Sequence, residues 1–431
     1  MTTEATKKLL ARPQDITDHV RVGEKTYTAI GQDISHISMI VGPLGIVLVD
    51  AGASPYAAAS VMSKFRKISD KPLKAIILTH SHPDHTGGLA GVIGMELAAH
   101  PNAEVDIWAR ANFGSEFGLA KLLPDIFARR GLLQFGANLD KEQLFPPLGP
   151  RQTPDPGKDW PIAEGKFGPN KLFAEDMIKL NVAGLELELH AAPGETSDHL
   201  CVWLADEKIA FVGDNMYGSF PNLYAVRGSG YRDVAQWAAS LKKIIELGPN
   251  QVVMAHSSPL QTRALCGEWL ENYHAAIKSI FDQTIEGMNK GFTPDELAAT
   301  VKLPPHLAAK EYLAEYYGNV AFAVRSIYAG HLGWFDGEAW KLAPLPPADE
   351  ARHMVELAGG LAKIVDRARQ ATVDNNPAWA AQLMSYAHRV DPANKDVKTV
   401  YSTALRVLGE NLLSTSGRNW LLSVAQNLAQ N

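Results

Sequence analysis

The chain has 431 residues, of which 46% are hydrophobic, 20% charged and 8% aromatic, and its formal net charge is −6. The hydrophobic fraction excludes a disordered chain, and the mild acidic charge excludes a nucleic-acid binder. No apolar run reaches the ~18 residues of a membrane-spanning helix. The two cysteines, Cys201 and Cys266, are too few for a disulfide framework, so we expect both to be buried as small apolar side chains.

The N-terminal segment, residues 1–15, contains neither an apolar stretch nor a small-residue cleavage site. It does not resemble a secretory signal, so we expect a cytoplasmic protein, or a periplasmic one if the chain is a processed form. At about 150 residues per domain, the length predicts two or three domains.

Strands alternating with helices predict an α/β class for the first half of the chain. Residues 27–30, 37–41 and 45–49 are rich in β-branched side chains, and the last of these runs is apolar throughout, as in a strand buried on both faces. A helix is predicted at 57–66 and a second buried strand at 74–78.

An insert is predicted at about 112–172. Its first part is apolar and partly helical, and the stretch 145–170 is rich in Pro, Gly and Asp. We expect it to wrap the surface, with a role in a substrate lid as the alternative. A helix follows at 231–247, and further strands are predicted at 177–182, 185–191, 200–204, 209–212 and 251–255.

After residue 265 the pattern is helical almost throughout, which predicts a catalytic domain at 1–265 and a helical domain at 266–431. The predicted helices are 266–289, 294–300, 306–331, 349–371, 376–389, 394–409 and 415–429.

The strongest chemical signal follows the strand at 74–78, in the sequence THSHPDHTGG. His80, His82, Asp84 and His85 supply nitrogen and oxygen ligands suited to zinc-like ions. In an extended loop His80 and His82 point the same way, whereas Asp84 and His85 lie on the next turn. Because a catalytic ion takes about three protein ligands plus water, this pattern predicts two metals.

The motif resembles the signature of the metallo-β-lactamase superfamily, whose fold is an αββα sandwich. That resemblance implies further ligands at later strand ends, namely Glu195, Asp214 and His256. Most of the superfamily has a histidine where this chain has Glu195, and His199 is the competing candidate for that position. The implied first metal site is His80, His82 and Glu195, the implied second site is Asp84, His85 and His256, and Asp214 bridges the two.

Other stretches resemble the type III alkylsulfatases, zinc hydrolases of alkyl sulfate esters. The resemblance spans about 30–430, implies that 266–431 is a helical dimerisation domain, and implies a homodimer. It rests on the sequences DN at 214–215, NLYAVRG at 222–228, RD at 232–233, YGN at 317–319, GWFDG at 333–337, LAPLPP at 342–347, ELAGG at 356–360, WA at 379–380 and RNWLL at 418–422.

Three features depart from that family. Asp214 stands where the family has a bridging Glu, and Pro221 stands where we expect a histidine that donates a proton or contacts sulfate. The sequence also ends without the sterol-carrier-like domain that usually follows the helical domain, so we expect weaker affinity for long-chain detergents.

The sequence therefore predicts a dizinc hydrolase, with two Zn²⁺ per chain, that cleaves alkyl sulfate esters to alcohol and inorganic sulfate through a metal-bound hydroxide. Asp84 and Asp214 are the predicted catalytic carboxylates. Arg227 is the candidate for anion recognition, because its guanidinium matches sulfate oxygens. Candidate neutral donors, which could instead only hold their loops, are Asn215, Asn222 and Tyr224. The insert at 113–135 is a candidate apolar wall for the alkyl group, with ordinary core as the alternative.

Two alternatives stay open at this point. The first is another hydrolase on the same fold, such as a phosphoesterase, a lactonase or a β-lactamase-like enzyme. The second is a docking or dimerisation scaffold with a vestigial site. The expected partner is a small anionic ester that carries an alkyl chain, with no nucleic acid and no membrane span.

Overall fold

The computed structural model describes residues 2–12, 16–145 and 159–430. Twelve strands in these residues form two sheets. The strands of the seven-stranded sheet are β1 (Thr17–Arg21), β2 (Thr26–Ile30), β3 (Ile37–Val41), β4 (Ile46–Val49), β5 (Leu73–Ile77), β6 (Asp106–Arg110) and β7 (Lys171–Phe173). Those of the five-stranded sheet are β8 (Met177–Val182), β9 (Leu185–Ala191), β10 (Leu200–Leu204), β11 (Ile209–Gly213) and β12 (Gln251–Met254).

Helices occupy most of the remaining described chain. Up to the end of the second sheet they are α1 (Glu4–Leu10), α2 (Pro55–Phe65), α3 (Pro83–Thr86), α4 (Leu89–Ala99), α5 (Phe117–Leu122), α6 (Pro124–Phe135) and α7 (Val234–Leu247). After it they are α8 (Arg263–Asn289), α9 (Pro294–Thr300), α10 (Pro305–Ala308), α11 (Val320–Leu332), α12 (Pro347–Leu357), α13 (Leu361–Val373), α14 (Pro377–Val390), α15 (Lys395–Asn411) and α16 (Thr415–Gln430).

Strand order explains where loops can build a site. The strands β4, β5, β6 and β7 run parallel, as do β11 and β12, whereas the other pairings are antiparallel. Parallel strands need crossover connections, and α2 and α4 supply two of them. The carboxyl ends of β4 and β5 therefore lie side by side at one edge of the first sheet.

Three apolar layers make an αββα sandwich. Between the sheets, Val47, Val49 and Ile77 belong to the same buried cluster as Leu189 and Phe211 of the second sheet. The outer face of the first sheet is covered by α2 and α4, and that of the second sheet by α7 and α8. This architecture confirms the predicted metallo-β-lactamase fold followed by a helical region.

Local sequence signals explain several helix ends. Ser54 accepts the N–H of Ala57 at the start of α2, with Pro55 in the first turn, where a missing N–H costs nothing. Asp233 caps α7 at its start, and Gly248 ends it in the left-handed conformation that glycine adopts without strain.

Two predicted helices are wrong in extent. The segment 306–331 is broken after Ala308, where α10 ends; a single 3-10 turn follows at Glu311–Leu313, and Asn319 caps the new helix α11. The segment 349–371 is divided by Gly359 and Gly360, which have φ of 92° and 100°. The predicted stretch at 145–170 lies partly outside the described residues, which omit 146–158.

The boundary predicted at 265 falls inside α8. A single buried cluster crosses it, joining Trp237 of α7 to Tyr273 of α8 and to Val324 of α11. The helices α12 to α16 have a separate core. The division of the chain at 265 therefore stays a prediction.

The first helix packs against the other end of the chain. Thr3 and Thr6 donate hydrogen bonds to the carbonyl of Glu410 at the end of α15. Arg418 of α16 donates to the Thr6 hydroxyl and to the carbonyls of Gly409 and Glu410. These contacts satisfy carbonyls at a helix end that have no intrahelical partner.

Both cysteines are buried and free, as expected. In the described residues no helix has the length and apolar character needed to cross a bilayer.

Candidate metal centre

The predicted ligands meet at one edge of the sandwich because each follows a strand that ends there. The sequence from His80 to His85 comes directly after β5. Glu195 lies in the loop between β9 and β10, Asp214 follows β11, and His256 follows β12. Neighbouring strands in the two sheets thus deliver side chains that are up to 176 positions apart in the sequence.

His80, His82 and Asp214 form one group of converging ligand atoms. The Nε2 atom of His80 lies 2.9 Å from Nδ1 of His82 and 3.9 Å from Oδ2 of Asp214. All three side chains are buried.

The second group consists of Asp84, His85, Asp214 and His256. Oδ1 of Asp214 lies 3.3 Å from Nε2 of His85 and 3.0 Å from Nε2 of His256. Oδ2 of Asp84 lies 3.7 Å and 3.4 Å from the same two nitrogens. Ligand atoms about 2.0–2.2 Å from a tetrahedral ion stand roughly 3.3 Å apart, so these spacings fit a metal of that size. Because Asp214 belongs to both groups, it is placed to bridge two ions.

Atoms without hydrogen-bond partners provide an independent test of that fit. His85 Nε2, Asp214 Oδ1 and Glu195 Oε2 are buried and make no hydrogen bond in the described structure. Buried polar atoms normally have hydrogen-bond partners, so these three unpaired nitrogen and oxygen atoms are suited to coordinate a metal.

Hydrogen bonds on the far side of the rings orient the histidines. Nδ1 of His85 contacts Oδ2 of Asp50 at 2.8 Å, and Nδ1 of His256 contacts the Ile34 carbonyl at 2.9 Å. These contacts direct each Nε2 toward the ligand group, as in known metal sites where an outer partner fixes the ring. Asp50 has φ of 62°, a conformation that is uncommon in residues other than glycine.

Electrostatics prepare the ligands for a cation. Burial lowers the pKa of His80 and His82 well below 6.5, and nearby cationic side chains lower it further, so both rings are neutral. Burial alone opposes protonation of His85 and His256, but the carboxylate of Asp214 raises the pKa of both. Burial acts to raise the pKa of Asp214, and the same two histidines hold it well below its usual range.

Glu195 is buried beside this cluster but belongs to neither group of converging atoms. Its Oε1 accepts a hydrogen bond of 2.7 Å from Arg232. Its Oε2, which lacks a hydrogen-bond partner, is the atom available to an ion.

His199 has a different arrangement. Its Nε2 accepts the backbone N–H of Asp214 at 3.1 Å, and its ring stacks on that of His80 with centroids 4.9 Å apart. It therefore supports the ligands, which favours Glu195 over His199 as the donor from this loop.

The predicted substrate-binding residues differ in their surroundings. Asn215 donates to the Ala192 carbonyl and accepts the Glu195 N–H, so it holds the Glu195 loop. Asn222 is buried, and its Nδ2 is left without a partner. Tyr224 is half-buried. Asn222 therefore has an unpaired side-chain N–H that could donate to a substrate, whereas the side-chain N–H of Asn215 is used within the protein.

Arg227 lies near the first ligand group. After burial, the charges of Arg232 and Arg227 are the largest influences that lower the pKa of His82. Arg227 is half-buried, and its Nη1 donates to the Gly228 carbonyl at 3.3 Å.

The apolar insert reaches the same site. The ring of Phe117 lies edge-on to that of His82, with centroids 6.3 Å apart. Beyond it, Leu122 and Leu123 are 74% and 51% exposed on the following helical turns. This part of the insert is therefore placed to border the site with apolar surface.

Sequence reasoning assigned no site role to three residues that the structure brings to the site. Arg232 is buried beside Glu195, and Asp50 orients His85. Tyr317, from the helical region, interacts with Glu195 and with Arg227, and burial raises its pKa, so the phenol stays protonated. Asp50 ends the strand beside β5, a position that offered a signal. Tyr317 stands in the YGN sequence that resembles the alkylsulfatases, but that motif did not indicate its approach to the site, which depends on how the helical region packs.

Comparison with known proteins agrees with both regions. A family described as the metallo-beta-lactamase superfamily matches residues 30–256, and one described as alkyl sulfatase dimerisation matches residues 293–431. A linear primary-alkylsulfatase from a Pseudomonas species is 37% identical over 396 residues, which are 90% of this chain and 73% of that protein. The chain belongs to the alkylsulfatase family. The predicted resemblance is confirmed.

Other alkylsulfatases match over nearly the whole chain. An (R)-specific secondary-alkylsulfatase from a Pseudomonas species is 28% identical, over 97% of this chain and 63% of its own length. The solved structure of the stereoselective inverting sec-alkylsulfatase Pisa1 from Pseudomonas superposes with a TM-score of 0.83 at 28% identity, over 95% of this chain and 65% of that one. The chain thus spans about two thirds of the length of these family members.

Proposed function

We propose that this alkylsulfatase-family chain hydrolyses alkyl sulfate esters at a centre of two zinc ions. The observation that carries the proposal is the pair of buried ligand groups that share Asp214. Three of its relatives are named for hydrolysis of alkyl sulfates, and their sequences align with 90–97% of this chain.

His80, His82 and Glu195 would hold the proposed first ion, Asp84, His85 and His256 would hold the second, and Asp214 would be shared by both. Nitrogen and carboxylate ligands of this kind suit zinc. When bound, such a pair of ions supplies Lewis acidity and lowers the pKa of water toward about 7.

The protein's own side chains bind and orient the ester. Arg227 pairs with the sulfate oxygens, because a guanidinium offers two donors in the plane of an oxyanion. The protonated phenol of Tyr317 and the free Nδ2 of Asn222 add neutral donors. Phe117 and the exposed side chains of Leu122 and Leu123 receive the alkyl group, which removes apolar surface from water.

We infer that the protein is a homodimer formed through its helical region. The segment from α11 to α12 exposes large apolar side chains, including Trp334 at 75% and Trp340 at 59%. Apolar clusters of this kind commonly mark a protein–protein contact.

A substrate panel tests the proposed activity. Zinc-loaded protein is assayed with octyl sulfate, octyl phosphate, a lactone and a β-lactam, and sulfate release is measured directly. We expect octyl sulfate to be preferred, with activity lost after chelation and restored by zinc. Cleavage of the phosphate, lactone or β-lactam with no sulfate release would assign the site to a different hydrolase.

The variant His82→Ala tests the proposed metal centre directly. It removes one proposed ligand, so we expect loss of activity and of about one metal equivalent while the circular dichroism of the helical region is retained. Unchanged metal content would contradict this ligand assignment.

A further inference from the structure

We propose that α6 of the insert positions Arg227 for anion recognition, and that α16 of the helical region anchors α6. Arg130 and Gln134 are therefore positioning residues for substrate binding. This inference rests on the role proposed for Arg227.

The insert helix bonds directly to the backbone that carries Arg227. Arg130 donates from Nε to the Arg227 carbonyl at 2.8 Å and from Nη2 to the Val226 carbonyl. Gln134 accepts the Arg227 backbone N–H at its Oε1, also at 2.8 Å. Both peptide groups of Arg227 are thus held by one face of α6, since positions 130 and 134 are one turn apart.

The loop needs this support because its own contacts are few. Gly228, next to Arg227, has φ of 105°, and a Cβ there would lie 3.5 Å from the Phe127 ring of α6. Two described hydrogen bonds are local to this stretch: the Gly228 N–H donates to the Ala225 carbonyl at 2.9 Å, and Nη1 of Arg227 donates to the Gly228 carbonyl at 3.3 Å. The path of the backbone at Arg227 is therefore set mainly by α6.

Two side chains of α16 hold α6 in place. Asn419, which is fully buried, donates from Nδ2 to the Gln134 carbonyl at 3.2 Å. The guanidinium of Arg130 lies over the Trp420 ring, 5.1 Å from its centroid, in a cation–π arrangement. Arg130 and Gln134 each contact the Arg227 loop on one side and α16 on the other.

Because Arg227 contacts the substrate and no metal ligand lies on its loop, we expect the position of Arg227 to affect substrate binding and not the hydrolysis step. A displaced Arg227 weakens the hold on the sulfate group in both the ground state and the transition state, which raises KM and leaves kcat nearly unchanged. The metal ligands lie on other loops, so their metal content stays the same.

The test compares Arg130→Met with Arg129→Met, using octyl sulfate for kinetics and inorganic sulfate for binding by calorimetry. Arg129 is exposed, and its described contact is within α6, to the Asp125 carbonyl. We expect Arg130→Met to raise KM roughly tenfold, since it removes two hydrogen bonds, and to change kcat less than about twofold. Arg129→Met should behave as the parent protein.

A double-variant cycle distinguishes positioning from general damage. In an Arg227→Met background, Arg130→Met should add nothing to KM, because the residue it positions is gone. Additive effects would overturn the inference. Gln134→Met tests the same loop if Arg130→Met does not fold, and we expect it to raise KM about threefold to fivefold.

The two proposals fail in different ways. If Arg227→Met raises KM and neither Arg130→Met nor Gln134→Met does, the positioning role is wrong and the anion role of Arg227 stands. If Arg227→Met leaves both KM and the affinity for inorganic sulfate unchanged, the anion role is wrong, and the positioning role is overturned with it. If octyl sulfate is not hydrolysed, a loss of inorganic sulfate binding in Arg130→Met still supports the positioning role, and unchanged binding overturns it.

Discussion

At the scale of single residues, Arg232 stands out because it donates a hydrogen bond to only one of the two carboxylate oxygens of Glu195. Its Nη1 also donates to the Asn222 carbonyl, so one nitrogen connects two loops of the site. The arrangement places a buried cation beside a ligand group that is rich in carboxylates, which limits repulsion among them.

Removing that cation should destabilise the protein. In metal-free protein, Arg232→Met leaves the Glu195 carboxylate buried and unpaired, so we expect the free energy of unfolding to fall by about 3 kcal/mol. Urea denaturation measures the change. Adding Glu195→Gln to that variant should recover most of the loss, and equal stability of the single and double variants would contradict the pairing.

A buried neutral histidine predicts a pH dependence of stability. Burial and the neighbouring His256 lower the pKa of His36 to about 3, against 6.5 in the unfolded chain. As pH falls below 6.5, the unfolded state binds a proton that the folded state does not, so stability is lost on acidification.

The variant His36→Asn should weaken this dependence in metal-free protein. We expect its free energy of unfolding to fall less steeply between pH 6.5 and 4, by up to about 1.4 kcal/mol per pH unit. Asn also retains a donor for the Met254 carbonyl, which Nδ1 of His36 contacts. Parallel curves for the two proteins would show that His36 is protonated in the folded state.

The candidate ligands could be predicted from the sequence because they follow apolar strands in a recognisable order. Glu195 and Asp214 occupy motif positions: Asp214 belongs to both ligand groups, and Glu195 is buried beside them. The site roles of Arg232 and Tyr317 could not be predicted, because a buried arginine and a tyrosine in the loop before α11 have no spacing that distinguishes them from ordinary surface or core residues.

At the scale of elements, the pair of glycines after the histidine motif lets α4 approach the first sheet. A Cβ on Gly88 would lie 1.9 Å from the Ala51 carbonyl oxygen, at the end of β4. The Gly88 N–H donates to the Gly52 carbonyl at 2.9 Å, which needs that close approach.

Gly88→Ala should therefore disturb the site through packing. We expect a loss of at least about 2 kcal/mol in the free energy of unfolding and a fall in metal content, because the displaced backbone carries His85. The matched control is Gly267→Ala in α8, where a Cβ meets nothing within 4 Å. There we expect a gain of about 0.5–1 kcal/mol, since alanine favours a helix. Similar losses in both variants would contradict the role of close approach.

Strands and helices were predicted correctly where apolar residues recur with a strong period. They were not where tertiary contacts decide the bounds of an element. The buried strands and α7 follow their apolar patterns closely. The strand β6 was not predicted, because its half-buried pattern in DIWAR has only two fully buried side chains. The break after α10 depends on carbonyls of Phe220 and Ala314 that bond across the two regions.

At the scale of the whole molecule, the exposed tryptophans of the helical region predict the dimer contact. Trp334→Glu combined with Trp340→Glu places two charges in that contact, which disfavours apolar association. Light scattering at micromolar concentration should show a dimer for the parent protein and a monomer for this variant.

Leu44→Glu serves as the control for that experiment. Leu44 is 70% exposed but lies in the turn between β3 and β4, so the variant should remain a dimer. A parent protein that is monomeric, or a tryptophan variant that stays dimeric, would exclude this surface as the contact.

The contact between α1 and the α15–α16 junction has a consequence for synthesis on the ribosome. Thr3 and Thr6 leave the exit tunnel about 400 residues before Glu410 and Arg418, the groups they bond. The sandwich can therefore form while α1 is still undocked, and α1 docks only after Glu410 and Arg418 have also left the tunnel. Docking of the first helix thus follows synthesis of the whole sandwich.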